Sequence, residues 1–337
     1  LSLTASVSAL SGTKTGWYKR GTGTLKLGNV LNTGALHIVE GTVNAGENGT
    51  TMSTPDYVYF EGGVLKDVDN IYSYTTSNTK YVVEEGQKGT WYLDSRCDYR
   101  GTLEGAGTLT IHSTGPRNSI MGNWSGFTGT ITHNGTKTGS YDPSLTFANG
   151  YGIEKATLNN NQYFDNSGKN VKIGALNGAA TMAGAGMYTI GGNNKDCKYE
   201  GTFSASKLTK VGTGALSLTT VQSSIATSDV YVNGGVLSLE NAKYEENFFG
   251  LNTIRCSGEG TTLMGRTKVA DVYIENGASL MPGCYTDAER YGNMMLSNVY
   301  IYEGSSLDLL LRNTRGKTTS LSNITVSRNI IIKGDVN

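Results

Sequence analysis

One phrase recurs through most of this chain: a glycine, a small or β-branched residue, then a large apolar residue. It stands at Gly23-Thr24-Leu25, Gly41-Thr42-Val43, Gly63-Val64-Leu65, Gly101-Thr102-Leu103, Gly107-Thr108-Leu109, Gly129-Thr130-Ile131, Gly201-Thr202-Phe203, Gly214-Ala215-Leu216 and Gly235-Val236-Leu237. Repetition of this kind is the first thing to settle, because it decides between a globular domain and a stack of similar units. Between Leu208 and Leu239 the apolar residues alternate at Leu216 and Leu218, at Val230 and Val232, and at Leu237 and Leu239, with Gly212, Gly214, Gly234 and Gly235 between them. A period of two is that of a strand with one hidden face. The glycines turn the corners.

The Asn-Gly pairs beginning at Asn48, Asn134, Asn149, Asn177, Asn233 and Asn276 suit hairpin turns and, taken alone, would allow an antiparallel sandwich. Successive segments, however, repeat the same pattern in the same direction, so each stacks on its predecessor with its leucines in register. Leu216 and Leu237, 21 residues apart, are expected to mark one full turn. The expected fold is all-β, a parallel β-helix running as one continuous solenoid over residues 1–337. It is expected to be part of a longer secreted protein, because an uncapped strand end would template pairing with another chain. Three intervals break the pattern and are expected to be irregular: 66–100, 149–172 and 244–256.

Composition agrees and removes several function classes. Glycine is 46 of 337 residues and proline only 4, so the glycines serve turns rather than a collagen repeat. Tyrosine outnumbers phenylalanine by 20 to 7, which suits strands whose outer face meets water. Lys plus Arg equals Asp plus Glu at 28 each, leaving no global field to steer nucleic acid or an anionic membrane to the protein. No stretch approaches the roughly 20 apolar residues of a spanning helix; the stretch from Leu1 has neither the basic region nor the continuous apolar run of a signal sequence, and any signal is expected to have been removed. Glycine pairs such as Gly21 and Gly23, or Gly212 and Gly214, lack the third glycine or the Gly-Lys-Ser/Thr of a nucleotide loop. Cys97, Cys197, Cys256 and Cys284 contain no C-x-x-C, which excludes a zinc ribbon; they are expected to be buried thiols, although their even number permits disulfides.

Chemistry is scarcer. From Trp91 to Arg100, simple parity places Tyr92, Asp94, Arg96, Asp98 and Arg100 on one outer face, with Trp91 inward. This row is the candidate ligand contact; alternating charges on a solvated face, which also discourage edge pairing, are the plainer reading. Tyr99 either flanks a sugar or packs. His37 and His112 fall on the outward parity and His133 on the inward, and all three are expected to be isolated, outside any nucleophile motif. The acidic pairs Glu84-Glu85 and Glu245-Glu246 read as solvated loops. No catalytic residue, cofactor or metal ligand is assigned.

Several phrases resemble the passenger-type repeats of autotransporters and the related secreted Bacteroidetes proteins with autotransporter-associated β-strand repeats. They are residues 208–218 (LTKVGTGALSL), 173–178 (IGALNG) followed by 188–194 (YTIGGNN), and 124–131 (WSGFTGTI). Residues 277–283 (GASLMPG), 302–307 (YEGSSL) and 323–326 (NITV) resemble the order in which such regions end. The resemblance implies a right-handed parallel β-helix of a bacterial protein, secreted or displayed on the cell surface and used for adhesion or as a stalk. Its partners would be glycans or host or microbial surface proteins. The expected function is thus a non-enzymatic scaffold. A polysaccharide lyase or glycoside hydrolase built on the same coil is the alternative, and a purely structural spacer the second. The matching residues are turn glycines and core leucines, which carry fold rather than activity.

Overall fold

The computed structural model describes residues 2–3, 16–27, 34–45, 55–67, 74–75, 79–93, 97–136, 142–219, 229–240, 253–285, 292–309 and 323–334. The chain divides into two compact units, Leu1–Val171 and Lys172–Asn337. In each, short strands pair in parallel with strands one turn away, forming a β-solenoid, and no helix occurs among the described residues.

In the first unit one ladder joins Thr42–Asn44, Val64–Asp67, Lys88–Leu93, Thr108–Ser113, Thr130–Gly135 and Ile153–Asn160. Its inward column reads Val43, Leu65, Trp91, Ile111, His133, Asn160. A second ladder joins Gly16–Lys19, Ala35–Ile38, Tyr57–Phe60, Lys80–Val83 and Thr102–Gly105. A third holds Tyr74–Thr75, Cys97–Tyr99, Asn118–Ile120, Leu145–Phe147 and Phe164–Asp165.

The core here adds large aromatic rings to the aliphatic stack. Trp91 lies 4.3 Å from Tyr81, 5.1 Å from Tyr99 and 6.2 Å from Trp124 between ring centroids, and Phe147 lies 5.2 Å from Phe164. All six are buried. The surplus of tyrosine therefore does not belong to the outer face alone: Tyr81, Tyr99, Tyr188 and Tyr199 are interior. Rings of this size need space, and a Cβ on Gly89 would come within 2.5 Å of Phe60 Cγ.

The second unit keeps the aliphatic stack. Cys197, Leu216, Leu237, Leu263 and Leu280 stand in one column, and Leu208, Val230, Ile254, Val272 and Val299 in another. All ten are buried, each aliphatic side chain contributing about 1.5 to 3 kcal/mol relative to exposure. Leu216 indeed stacks on Leu237, 21 residues on, while the following steps are 26 and 17 residues, so turn length varies at the corners and not in the strands.

Two corners are closed by a buried lysine at the end of the preceding strand. Lys210 Nζ donates to the carbonyls of Val211 (2.7 Å), Gly212 (3.0 Å) and Gly234 (2.9 Å). Lys19 Nζ does the same for Arg20 (3.0 Å), Gly21 and Glu40 (3.0 Å). Each ammonium thus satisfies carbonyls of its own corner and of the next turn, which would otherwise be orphaned. The shared sequence is Lys-x-Gly-Thr-Gly, at 19–23 and 210–214.

All four cysteines are buried and free. Of the intervals expected to be irregular, 66–100 carries the strands Lys80–Val83, Lys88–Leu93 and Cys97–Tyr99. The interval 149–172 carries Ile153–Asn160 as a regular rung, and its asparagines ladder: Asn159 Nδ2 donates to Thr132 Oγ1 and Asn161 Nδ2 to Asn134 Oδ1. Asparagine here continues the strand instead of leaving it, because each amide finds a partner on the preceding turn. Residues 244–252, with Glu245 and Glu246, lie outside the described residues.

Candidate functional site

The row expected from Tyr92 to Arg100 spans a corner. Tyr92 lies on Lys88–Leu93, in the ladder with Lys66 and His112; Asp98 lies on Cys97–Tyr99, opposite Thr75 and Ser119. Parity holds within each strand: Trp91, Leu93, Cys97 and Tyr99 are buried, Tyr92 and Asp98 half-buried, Arg100 exposed. The same alternation holds on both sides of residues 94–96, but Tyr92 and Asp98 face outward from two different ladders. Asp94 and Arg96 lie outside the described residues. Tyr92 has instead gathered its own column, with Lys66 Nζ 5.1 Å from its ring centroid and the His112 ring at 4.8 Å.

That column is one of several outward ladders of rings and cations among the described residues. In the first unit Tyr18, His37 and Tyr59 are in register and stacked, with centroid separations of 4.3 and 4.5 Å and planes within 11°. Arg20 lies over Tyr18 at 5.6 Å, Lys80 lies over Tyr57 at 5.6 Å, and His37 Nδ1 meets Glu61 Oε1 at 2.8 Å. Burial, then Tyr57 and the nearby glutamates, raises the pKa of Tyr59, so its hydroxyl stays protonated as a donor. In the second unit Tyr231, Arg255, Tyr273 and Tyr300 form the equivalent column. Arg255 Cζ sits 4.0 Å from the Tyr273 centroid, Tyr273 stacks on Tyr300 at 4.3 Å and 6°, Lys207 covers Tyr231 at 4.9 Å, and Arg255 Nη1 donates to Glu275 Oε1 at 3.0 Å. A parallel solenoid makes such ladders inevitable wherever like residues recur at one register position, since strands lie about 4.8 Å apart and flat rings fit that spacing.

A different arrangement lies inside the first unit. Ser113 Oγ is 3.0 Å from His133 Nε2, and His133 Nδ1 is 3.0 Å from Asn160 Oδ1. Asn160 Oδ1 can only accept, so Nδ1 carries the proton and Nε2 accepts from the serine hydroxyl. The connectivity is that of nucleophile, base and orienting group. All three side chains are fully buried, however, and the Phe164 ring stands 6.4 Å from the imidazole. Burial lowers the His133 pKa from 6.5 to about 4, against the opposing bond to Asn160. The imidazole is therefore a neutral bridge between two rungs, sealed from any substrate. His133 was expected from sequence to be isolated and is not; the missed signal was three polar residues at inward positions, two after Ile111, Ile131 and Leu158 respectively.

No family model and no curated protein matches the chain. Assignment of function therefore rests on geometry. Among the described residues no three His, Cys, Asp or Glu side chains gather as a metal site, and no helix is long and apolar enough to cross a membrane.

Proposed function

We propose that this chain is a non-enzymatic scaffold, secreted or displayed on a cell surface, whose outer ladders of rings and cations bind glycans or proteins. The observation that carries this reading is the set of outward ladders: Tyr18-His37-Tyr59 with Arg20, Lys66-Tyr92-His112, and Tyr231-Arg255-Tyr273-Tyr300. Tyrosine and arginine are the residue types that concentrate binding energy at protein surfaces, and stacking fixes their rotamers before a partner arrives. The likeness of residues 208–218 and 124–131 to autotransporter-type repeats supports the same reading.

The test is binding of the full chain to an array of glycans and extracellular matrix proteins, comparing wild type with Tyr18→Ala/Arg20→Ala and with Arg255→Ala/Tyr273→Ala. These side chains are at the surface, so each pair of changes should cost only about 1 kcal/mol of stability. Loss of binding at unchanged melting supports the proposal. Binding to nothing on the array would leave the spacer.

A further inference from the structure

Alternate residues of a solenoid strand leave the coil and meet water. On the second unit the middle of one outward column does not. Lys198, Ser217, Ser238, Met264 and Met281 stand in register on successive strands, yet Ser217 is 1% exposed and Ser238 0%. Glu240, two residues along from Ser238 and on the same face, is 7% exposed. The cover is Tyr285. Its main-chain N–H donates to Ser238 Oγ at 3.1 Å and to Glu240 Oε1 at 3.0 Å, and Ser238 Oγ donates to the same carboxylate at 2.7 Å. Its hydroxyl donates to Asp196 Oδ2 at 2.8 Å. Asp196 immediately precedes the strand Cys197–Tyr199, two rungs from Ser238, so the tyrosine side chain crosses the rung of Ser217 that lies between. Asp196 is fixed from its other side by the Ala215 N–H at 2.8 Å.

Under this clasp two hydroxyls have nothing to bond. Ser217 Oγ and Thr219 Oγ1 are both sealed from solvent and without a hydrogen-bond partner. Ser217 is on the strand Ala215–Leu218 and Thr219 is the residue just beyond it, between the rung of Asp196 and the rung of Glu240. Buried polar groups in native proteins are satisfied almost without exception, by protein, water or ligand. Among the buried side-chain groups without a partner in the described residues, these two lie two residues apart, on the face that carries Asp196, Ser238 and Glu240.

We propose that the face bounded by Asp196, Ser217, Thr219, Ser238 and Glu240 is a binding niche for a neutral, hydroxyl-rich ligand, a short stretch of uncharged glycan, with Tyr285 as the clasp that fills it in the free protein. The chemistry selects that class. Serine and threonine hydroxyls both donate and accept, and the carboxylates accept from ligand hydroxyls. The tyrosine and Met264 offer apolar surface for the C–H face of a sugar. The face has no surplus positive charge for an anionic sugar or a phosphate: Arg266 stands opposite Glu240 in register, Lys210 acts on Asp196, and Lys198 is paired with Glu200 at 2.6 Å. This inference rests on the glycan-binding reading above and places one subsite of it.

The test uses the full chain and calorimetric titration with neutral hexasaccharides of glucose, galactose and mannose, with hexagalacturonate as the charged control. At least one neutral hexasaccharide is expected to bind. Ser217→Ala should weaken it tenfold or more while the melting temperature holds or rises, because the change removes only an unpartnered hydroxyl; Ser217→Val repeats the measurement with a bulkier apolar side chain. Tyr285→Phe, which releases the latch to Asp196, should tighten binding severalfold. Binding unaffected by Ser217→Val and Ser217→Ala, or seen with hexagalacturonate alone, would overturn the niche. If Ser217→Val binds as wild type but Tyr18→Ala/Arg20→Ala does not, the niche falls and the outer-ladder function stands; if no sugar or protein binds, both fall.

Discussion

Lowering the pH should unlock the first unit through a single imidazole. His133 is fully buried, and its pKa falls from 6.5 in an unfolded chain to about 4 in the folded one. Because the folded value is the lower, the unfolded chain binds the extra proton between about pH 4 and 6.5. Stability is whole above that window, declines as pH falls through it, and stops declining from this source below pH 4. A difference of about 2.5 pKa units corresponds to about 3 kcal/mol, a large share of the stability of an ordinary domain. The structural reason is explicit: protonated Nε2 can no longer accept from Ser113, and a charge appears at a fully buried site beside Ile111, Asn160 and Phe164, with His112 also disfavouring it. Urea unfolding followed by tryptophan fluorescence isolates this unit, because all three tryptophans, Trp17, Trp91 and Trp124, lie within it. Carboxylates also titrate in the window, so the quantity to measure is the difference between wild type and His133→Gln. Wild type should lose about 3 kcal/mol more than the variant between pH 7 and pH 4. Equal pH dependence in the two would refute the placement of His133.

Two further outcomes follow from the second unit. Leu216→Asp puts an unpaired carboxylate between Cys197 and Leu237, where burial is complete, and should cost well over 3 kcal/mol in circular-dichroism melting. Lys210→Met keeps the length of the side chain but strips the donor from the carbonyls of Val211, Gly212 and Gly234; a loss of about 1 to 3 kcal/mol is expected, and unchanged melting would show that the cage is idle.

How far the sequence reveals this molecule depends on whether a signal is local. Alternation around Leu216, Leu218, Leu237 and Leu239 is local, and it gives both the inward face and the register, since a residue in a parallel stack meets its counterpart one repeat later. The row from Tyr92 to Arg100 kept its parity but is divided between two ladders, a division that composition does not mark, since no glycine or proline separates Leu93 from Cys97. The asparagines of 153–161 look like loop residues one at a time, and only the partners on the preceding turn make them strand. The burial of Ser217 and Ser238 was further out of reach. It is imposed by Tyr285, 47 residues beyond Ser238, and no pattern within a repeat anticipates it.

The account stands on rungs stacked in register, since the outer ladders exist only if they are. Tyr273 and Tyr300 are directly opposed on neighbouring strands. Cysteines at these two positions would have Cα atoms about 5 Å apart, within the span of a disulfide, whereas Tyr273 and Asn298 are offset by two residues along the strand and exceed it. The account predicts that Tyr273→Cys/Tyr300→Cys forms an intramolecular disulfide under mild oxidation, read as a mass loss of two hydrogens and a linked peptide, and that Tyr273→Cys/Asn298→Cys does not. Linkage in the second variant and not in the first would contradict it.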